Sequence, residues 1–390
     1  MEFTPGPPHP YNGSKPCEGM GENMRESQPF VKYNHEYERK LRVCFIGAGG
    51  HSFRNVYPTF QYAPVELVAI CDKDGERAAA YARQFGAART YTNHIDMLEK
   101  EQPDAAFIVT AYHPDGTVQA TGLALDALAR GIHVWMEKPT AASVAEVKEL
   151  QAASASSGKY VMTGLKKVFF PAIEKAKELS GAPEFGRPSS IYVRYPQPMP
   201  PFEERQDLRN VTSLLDHIYH PAAVLHYLMG PIESIYFDRE PHNGGSVTSI
   251  RFASGAVGTL HMTAGISGSS PLERLELVGE GANVVVDNGV KVTYHRPASR
   301  PAYGRSASYL VPDEEAPLTW EPEFSLGQLY NKNLFYLGYV PEVLYFCECV
   351  MNGTPPVKGG LDASLEIAKL FEAYCAHPDG SRVIVNPAGG

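Results

Sequence analysis

A doubly wound parallel α/β domain joined to an α+β domain with a large, open, mostly antiparallel sheet is what the sequence predicts. Three observations carry this expectation. Short β-branched runs alternate with helical patterns from Leu41 to about Thr163, the spacing of βαβ units and therefore of a parallel sheet. A glycine-rich turn, Gly47-Ala48-Gly49-Gly50-His51-Ser52, directly follows the first of those runs. After Gly164 the chain becomes a series of short strands with hairpin signals such as Ser254-Gly255 and Asn288-Gly289, an antiparallel pattern. The expected division is an extended arm at 1–40, a first domain at 41–163 and a second at 164–390.

A chain of 390 residues has room for two domains that each bury a core. Apolar residues make up 43% and charged residues 20%, the balance of a soluble globular protein. A net charge of -9 opposes phosphate binding, so no nucleic-acid partner is expected. No run reaches the ~20 apolar residues of a spanning helix, and the N-terminus lacks a charged start followed by an apolar block; a cytoplasmic protein without a membrane partner is expected. Of six cysteines, Cys44 and Cys71 fall in strand patterns where a thiol acts as a small hydrophobe, and Cys347-Glu348-Cys349 has no second pair nearby, so no metal site is expected.

Met1 to Lys40 is rich in Pro and Gly and has no period, so it packs no core of its own. It reads as a disordered extension or as an arm along a partner subunit. Leu41 to Ile46 is the first strand, and the turn after it has the form G-x-G-x-x-S. Gly47 permits the tight bend, Gly49 and Gly50 let backbone amides approach a pyrophosphate, and the small Ser52 allows helix packing. A second strand, Val65 to Cys71, ends in Asp72, about 20 residues on, where a carboxylate takes the adenosine ribose hydroxyls of a dinucleotide. That carboxylate favours NAD over NADP, while the neighbouring Lys73 leaves NADP possible. The glycine turn, Asp72 and the βα repeat together predict a dinucleotide-binding Rossmann domain.

The repeat continues with a helix near Gly75 to Phe85, a strand at Arg89 to Tyr91, a helix at His94 to Lys100, a strand at Ala105 to Thr110 and a helix near Gly116 to Arg130. The run Ile132 to Met136 then ends in Glu137-Lys138-Pro139, which delivers a lysine to the carboxyl end of a buried strand, the rim where open α/β sheets bind ligands. Pro139 fixes that turn and can adopt the cis form. A helix at Ser143 to Ser156 and a strand at Tyr160 to Thr163 finish the domain.

In the second half, strands are expected at Ser189 to Tyr195, Glu233 to Phe237, Val247 to Phe252, Val257 to Met262, Arg274 to Val278, Asn283 to Val286 and Lys291 to Tyr294. Helices are expected at Pro171 to Ser180, Tyr219 to Met229, Gly338 to Met351 and Asp362 to Ala376. Asn210 to Asp216 reads as an irregular entry, and Arg296 to Pro322, without period, as a long loop able to cover a pocket. An open sheet with one bare face would expose a large apolar patch, so a homodimer or homotetramer through that sheet is expected.

The glycine turn, Glu137-Lys138-Pro139 and the stretch Leu214-Leu215-Asp216-His217-Ile218-Tyr219-His220 together resemble the Gfo/Idh/MocA family of sugar and cyclitol dehydrogenases, from about Leu41 to Asn386. The stretch is similar to the family's D-x-G-x-H segment; Ile218 replaces its usual glycine, and Ala223 stands where many members place another Asp. The resemblance implies NAD(P)-dependent hydride transfer to or from a CH–OH group of a carbohydrate or cyclitol, with Lys138, Asp216 and His220 as catalytic residues. It implies that Thr110, His113 and Glu137 lie beside the nicotinamide, and that one of Lys166 and Lys167 points into the cleft. Lys166, Tyr195, His217 and His220 are the substrate-side candidates, with Tyr219 and His261 as further pocket candidates.

The chemistry of the residues agrees. Oxidising a secondary alcohol needs a base for the hydroxyl proton and a donor for the developing alkoxide. Lys138 suits the second role and His220 the first, with Asp216 four residues earlier expected to hold its tautomer and support its charged form. Pro221 belongs in a first helical turn, which places this pair at a helix start. Two other functions use the same residues: an NAD-assisted glycosidase or lyase acting by transient oxidation, and a non-catalytic dinucleotide sensor.

Overall fold

The computed structural model describes residues 33–298, 313–322 and 332–387. Its first half runs β1 (Leu41–Ile46), β2 (Val65–Cys71), α1 (Gly75–Phe85), β3 (Arg89–Tyr91), α2 (His94–Glu101), β4 (Ala105–Ile108), α3 (Gln119–Leu128), β5 (His133–Glu137), α4 (Val144–Ser157) and β6 (Val161–Gly164). The strands pair in parallel in the order β3-β2-β1-β4-β5-β6. Strands β1, β4 and β5 are almost wholly buried, as their continuous apolar runs require of a sheet covered on both faces. Helix boundaries follow local chemistry: Asp74 caps α1 by accepting from Arg77 N, Asn93 caps α2, and Ser143 caps α4, each satisfying amides left free at a helix start.

Between β1 and β2 the chain departs from an ordinary α-helix. A π-helical turn at Ser52–Val56 passes into a 3₁₀ turn at Tyr57–Gln61. Pro58 supplies no amide to continue an α-helical ladder, and Tyr57 instead stacks on Phe45 and Phe85 while its hydroxyl donates to Gly47 O. The end of the expected arm is pinned here too. Buried Asn34 donates through Nδ2 to the carbonyls of Phe60, Ala63 and Val65, each at 3.0 Å; residues 1–32 of the arm lie outside the described residues.

The second half runs α5 (Pro171–Ser180), β7 (Ser190–Tyr195), α6 (Leu208–Met229), β8 (Ile232–Arg239), β9 (Ser246–Phe252), β10 (Val257–Met262), β11 (Arg274–Val278), β12 (Asn283–Asp287), β13 (Lys291–His295), β14 (Leu318–Trp320), α7 (Lys332–Tyr336), α8 (Tyr339–Asn352), α9 (Leu361–Ala376) and β15 (Arg382–Ile384). Its sheet has the order β14-β13-β12-β11-β7-β10-β9-β8-β15 and is antiparallel except where β7 meets β10. The Asn288-Gly289 turn joins β12 to β13 with both residues at positive φ, 51° and 66°, as a two-residue hairpin demands. Helices α5 and α6 cover one face, and α9 packs between α6 and α4.

Three expectations change. Asn210 to Asp216 is helical rather than irregular: α6 begins at Leu208 behind the cap Asp207, so Pro221 and the Asp216/His220 pair lie inside the helix. Pro221 withholds an amide from the carbonyl of His217, but the buried apolar face from Val211 to Met229 keeps the helix continuous. Within Arg296 to Pro322, residues 299–312 lie outside the described residues, and the end is a strand, β14, on β13. The bare face of the sheet is also less apolar than expected, since exposed Tyr236, Val247 and Val257 alternate with Arg251, Arg194 and Glu276.

Candidate active site

The strand order reverses between β1 and β4, and the turns that follow these two strands open a cavity of about 850 Å³. Gly47 has φ +110°, and a Cβ there would stand 1.9 Å from Val109 O; no side chain fits. A Cβ on Gly49 would meet nothing within 4 Å, and one on Gly50 only the tip of Arg54, so these two leave an open cradle on the cavity side. Ser52 donates through Oγ to Gly49 O at 2.8 Å. Asp72 accepts from Ala48 N at 2.8 Å and from Asp74 N at 2.9 Å, which fixes the turn and points the carboxylate at the cavity that Lys73 and His113 also line. The Thr110 hydroxyl lines it as well, buried without a partner among the described residues. An open glycine cradle, a carboxylate beyond it and an orphaned hydroxyl fit a dinucleotide.

A second set of contacts ties this cradle to the rim at β5. His51 Nε2 lies 2.9 Å from Glu137 Oε1, and Asn55 Nδ2 donates to His51 Nδ1 at 3.2 Å. With Nδ1 accepting, Nε2 carries the hydrogen and donates to the carboxylate. Glu137 Oε2 accepts from Lys138 N at 3.0 Å, and the Lys138–Pro139 bond is cis. The residue that braces the glycine turn is thus the neighbour of the lysine.

Lys138 reaches across to α6, where its Nζ lies 2.6 Å from Asp216 Oδ1. The Tyr112 hydroxyl donates to the same oxygen at 3.3 Å; burial first, and then the neighbouring Asp216 carboxylate, push that phenol well above its usual pKa. His217, half-exposed, donates from Nδ1 to Ser213 O at 2.9 Å and stands 3.8 Å from Asp216 Oδ2. Asp216 therefore does not serve His220, contrary to expectation. A spacing of four residues puts both on one helix face, but the free ammonium across the cleft claims the carboxylate.

His220 is buried, and its Nδ1 is enclosed with no partner among the described residues. Its pKa lies well below the usual histidine value, first because burial penalises the charged ring, then because Lys167, Lys138 and Lys166 surround it with positive charge. It is a neutral imidazole at neutral pH rather than a group titrating there. Nε2 is left as the nitrogen a hydroxyl can reach.

The remaining candidates divide. Tyr195 belongs to the cleft, its ring centroid 6.1 Å from His220 and 6.4 Å from His217. Lys166 turns towards α8, donating to the Tyr339 hydroxyl at 2.8 Å, while Lys167, from the same short turn, bonds Glu273 just before β11 and lies 5.0 Å from the Tyr195 ring centroid. Of the two lysines, the second is the one beside Tyr195. Tyr219 is fully buried and donates to Ala141 O at 3.1 Å, supporting the turn after Pro139 rather than lining the cleft. His261 lies on the bare face of the sheet, 3.2 Å from the Tyr192 hydroxyl. Sequence reasoning missed Asn55, Tyr112 and Tyr339; only Tyr112, beside His113, stood in a stretch already marked as lining the cofactor.

Among the described residues, no group of three or more His, Cys, Asp and Glu is placed to hold a metal ion, and no helix is long and apolar enough to cross a membrane.

Comparison with known proteins places these features in a family. The family model described as "Oxidoreductase family, NAD-binding Rossmann fold" matches residues 41–165, and that of the Gfo/Idh/MocA C-terminal domain matches residues 173–285. The chain is 23% identical to the scyllo-inositol 2-dehydrogenase (NAD(+)) of Bacillus subtilis, over 85% of this chain and 92% of that protein. It is 22% identical to the myo-inositol 2-dehydrogenase of Thermotoga maritima, over 85% and 95%. The solved structure of a levoglucosan dehydrogenase in complex with NADH shares the fold, with a TM-score of 0.72, 20% identity and coverage of 90% of this chain and all of that one, 100%. With both domain models matched in order along one chain, the protein belongs to the Gfo/Idh/MocA oxidoreductase family and carries its NAD-binding Rossmann fold.

Proposed function

We propose that the protein transfers a hydride between NAD and a secondary hydroxyl, or the corresponding ketone, of a sugar, glycoside or cyclitol. One observation carries the reading: a single strand end serves both halves of the reaction, Glu137 bracing the dinucleotide cradle through His51 while Lys138 faces Asp216 beside His220. Gly47, Gly49, Gly50, Ser52, Asp72 and Thr110 would hold the dinucleotide, with His113 and Glu137 at its nicotinamide end. The nicotinamide, when bound, supplies the hydride acceptor or donor. In the oxidative direction His220 Nε2 takes the hydroxyl proton, and the Lys138 ammonium, positioned by Asp216, donates to the alkoxide that forms. In reduction the same proton returns from Nε2 to the carbonyl oxygen. Relatives named as inositol and levoglucosan dehydrogenases support this class of substrate.

Asp72 places negative charge where a 2′-phosphate would sit, so kcat/KM should favour NAD over NADP. The reading also includes self-association through the bare sheet face, where paired acidic and basic side chains such as Arg274 and Asp287 offer a polar, self-complementary surface; light scattering at micromolar concentration should give at least a dimer mass. The deciding experiment is a panel of sugars and cyclitols with NAD, followed by the absorbance of the reduced nicotinamide. Stoichiometric NADH formation with at least one member is expected. Turnover that needs only catalytic NAD would favour the elimination chemistry of a glycosidase, and tight NAD binding without turnover would overturn the enzymatic reading.

A further inference from the structure

Glu342 takes no part in the chemistry proposed above, yet it is a carboxyl group shut off from solvent. It lies one turn into α8, fully buried, and neither of its oxygens has a hydrogen-bond partner among the described residues. Two contacts of α8 fix what it faces. At the start of the helix the Tyr339 hydroxyl accepts from Lys166 Nζ at 2.8 Å, and its ring meets that of His51 edge-on, centroids 6.0 Å apart. Further along, Phe346 packs edge-on against Phe107 at 5.6 Å, and Phe107 stacks on Trp135 of β5. Glu342, three residues after Tyr339 and four before Phe346, shares their helix face and lies between them. Side chains alternate along a strand, so Glu137 faces the same way as Trp135, two residues nearer the rim. The buried carboxyls of Glu342 and Glu137 are thus set against each other on facing elements.

The charged groups that act on Glu342 are Glu137 from β5 and Lys166 from the turn after β6. Of the other elements packed on α8, β6 carries no ionisable side chain, the 3₁₀ turn at Tyr57–Gln61 brings the phenol of Tyr57, and the described side chains of α7 bring that of Tyr336. Tyr339, on the same helix, adds a phenol whose pKa is raised first by burial and then by the two carboxyls. One ammonium therefore faces two carboxyl groups. Glu137 already accepts from His51 and from Lys138 N, which suits it to carry charge. A carboxylate at Glu342 would be a buried charge with no bond, a costly state in a protein interior. Glu342 is accordingly the neutral acid of the two, its pKa pushed well above the usual carboxylate range first by burial and then by Glu137, with Lys166 acting in the opposite sense.

We propose that Glu342 is a proton-releasing group that distinguishes the oxidised cofactor from the reduced one, giving up its proton when oxidised NAD binds and keeping it when NADH binds. The oxidised ring carries a positive charge that the reduced ring lacks, and a cation beside Glu137 favours a second carboxylate next to it. The O–H bond of Glu342 breaks, the carboxylate keeps the electron pair, and the proton passes to solvent, for which the half-exposed His51 ring, bonded to Glu137, offers a route. Cofactor exchange is thereby coupled to pH: since binding of oxidised NAD releases a proton, it tightens as pH rises, while binding of NADH does not. This assignment rests on the reading that puts the nicotinamide beside Glu137.

The test is calorimetric binding of oxidised NAD and of NADH to the full chain at pH 8, each in phosphate and in Tris, whose different ionisation enthalpies reveal the protons exchanged. Adenosine and pyrophosphate are common to the two cofactors, so the difference between them isolates the nicotinamide end. Oxidised NAD should release about half a proton or more and NADH about none, so that the affinity for oxidised NAD relative to NADH rises about threefold or more per pH unit. Glu342→Gln puts an amide of nearly the same shape in place of the neutral acid. In that variant the release with oxidised NAD should fall to the NADH level, with NADH affinity held within about twofold, since only the ionised acid links binding to pH. Release that persists in Glu342→Gln would assign the proton to another group, Lys166 first, and overturn the proposal. Should that variant fail to fold, infrared difference spectra of the wild type decide: a protonated-carboxyl band disappears on addition of oxidised NAD and stays with NADH, or the proposal falls. Equal release with both cofactors in the wild type defeats the role of Glu342 alone, whereas binding of neither cofactor defeats the dinucleotide reading and this proposal with it.

Discussion

The rim of the parallel sheet and the cleft face of α6 meet at one ion pair, Lys138 with Asp216, but they are built by different means. On the rim, position follows from the backbone: Gly47 at φ +110° with no room for a Cβ, a buried strand ending at Glu137, and a proline after Lys138. On α6 the backbone only sets a helical face, and which partner each side chain takes depends on what lies across the cleft. Asp216 has His220 on its own face and Lys138 opposite, and it pairs with the lysine. Rim geometry is thus fixed within a few consecutive residues, whereas helix-face chemistry is fixed between elements far apart in sequence.

That contrast predicts unequal sensitivity to substitution. Gly47→Ala should have the largest effect, because a left-handed φ and a contact at 1.9 Å with Val109 O cannot both relax; a loss on the order of 3 kcal/mol in stability is expected, with dinucleotide binding lost. Gly50→Ala, whose Cβ would meet only the end of Arg54 at 3.9 Å, should leave stability almost unchanged. Urea unfolding of the two variants checks this, and equal losses would break the backbone account of the rim.

Across the cleft, Lys138→Met on the rim and His220→Ala on α6 should each lower kcat by at least about 100-fold, the usual cost of a lost general base or alkoxide donor, while NAD affinity by fluorescence titration stays within about twofold. Because the two act on one proton and one oxygen, the double variant should be far less than multiplicatively worse. If His220→Ala retains more than about a third of wild-type kcat, against that expected loss, the histidine is structural.

The smallest effect belongs to Tyr112→Phe. Its hydroxyl makes one long bond, 3.3 Å, to a carboxylate that Lys138 already holds. Loss of a single weak hydrogen bond is worth about twofold to tenfold, so kcat/KM should fall within that range. A fall as large as that of Lys138→Met would mean that the phenol, not the lysine, holds Asp216 in place.

The same division explains what could be read in the amino-acid order. The parallel first sheet, the mostly antiparallel second sheet and nearly every strand were legible, since β-branched runs and turn residues specify them locally, and the turn at Asn288-Gly289 formed as its residues require. The start of α6 was not, because Pro221 signals a helix beginning that tertiary burial of Val211, Leu214 and Leu215 overrides. The edge strands β14 and β15, three residues each, carry too little pattern to announce themselves. At the site, Lys138, Asp216, His217 and His220 were named correctly as neighbours, but their pairing was not. The directions of Lys166 and Lys167 were not legible for the same reason: adjacent residues on a tight turn diverge, and only the positions of Tyr339 and Glu273 decide which points where.

The pairing itself is tested most directly by the protonation of His220. With burial and three lysines around it and Asp216 held by Lys138, its folded-state pKa lies well below the ordinary value of 6.5. A depressed histidine pKa adds stability that is fully present above about 6.5, the unfolded value, and drains away as pH falls towards the folded value. NMR titration of the histidine rings, with His220→Asn to assign the signal, should find His220 still neutral below pH 6.5 in the wild type, and Asp216→Asn should leave that behaviour nearly unchanged. A His220 pKa above 6.5 that drops by a unit or more in Asp216→Asn would show that the carboxylate serves the histidine after all, and would contradict the assignment of Asp216 to Lys138.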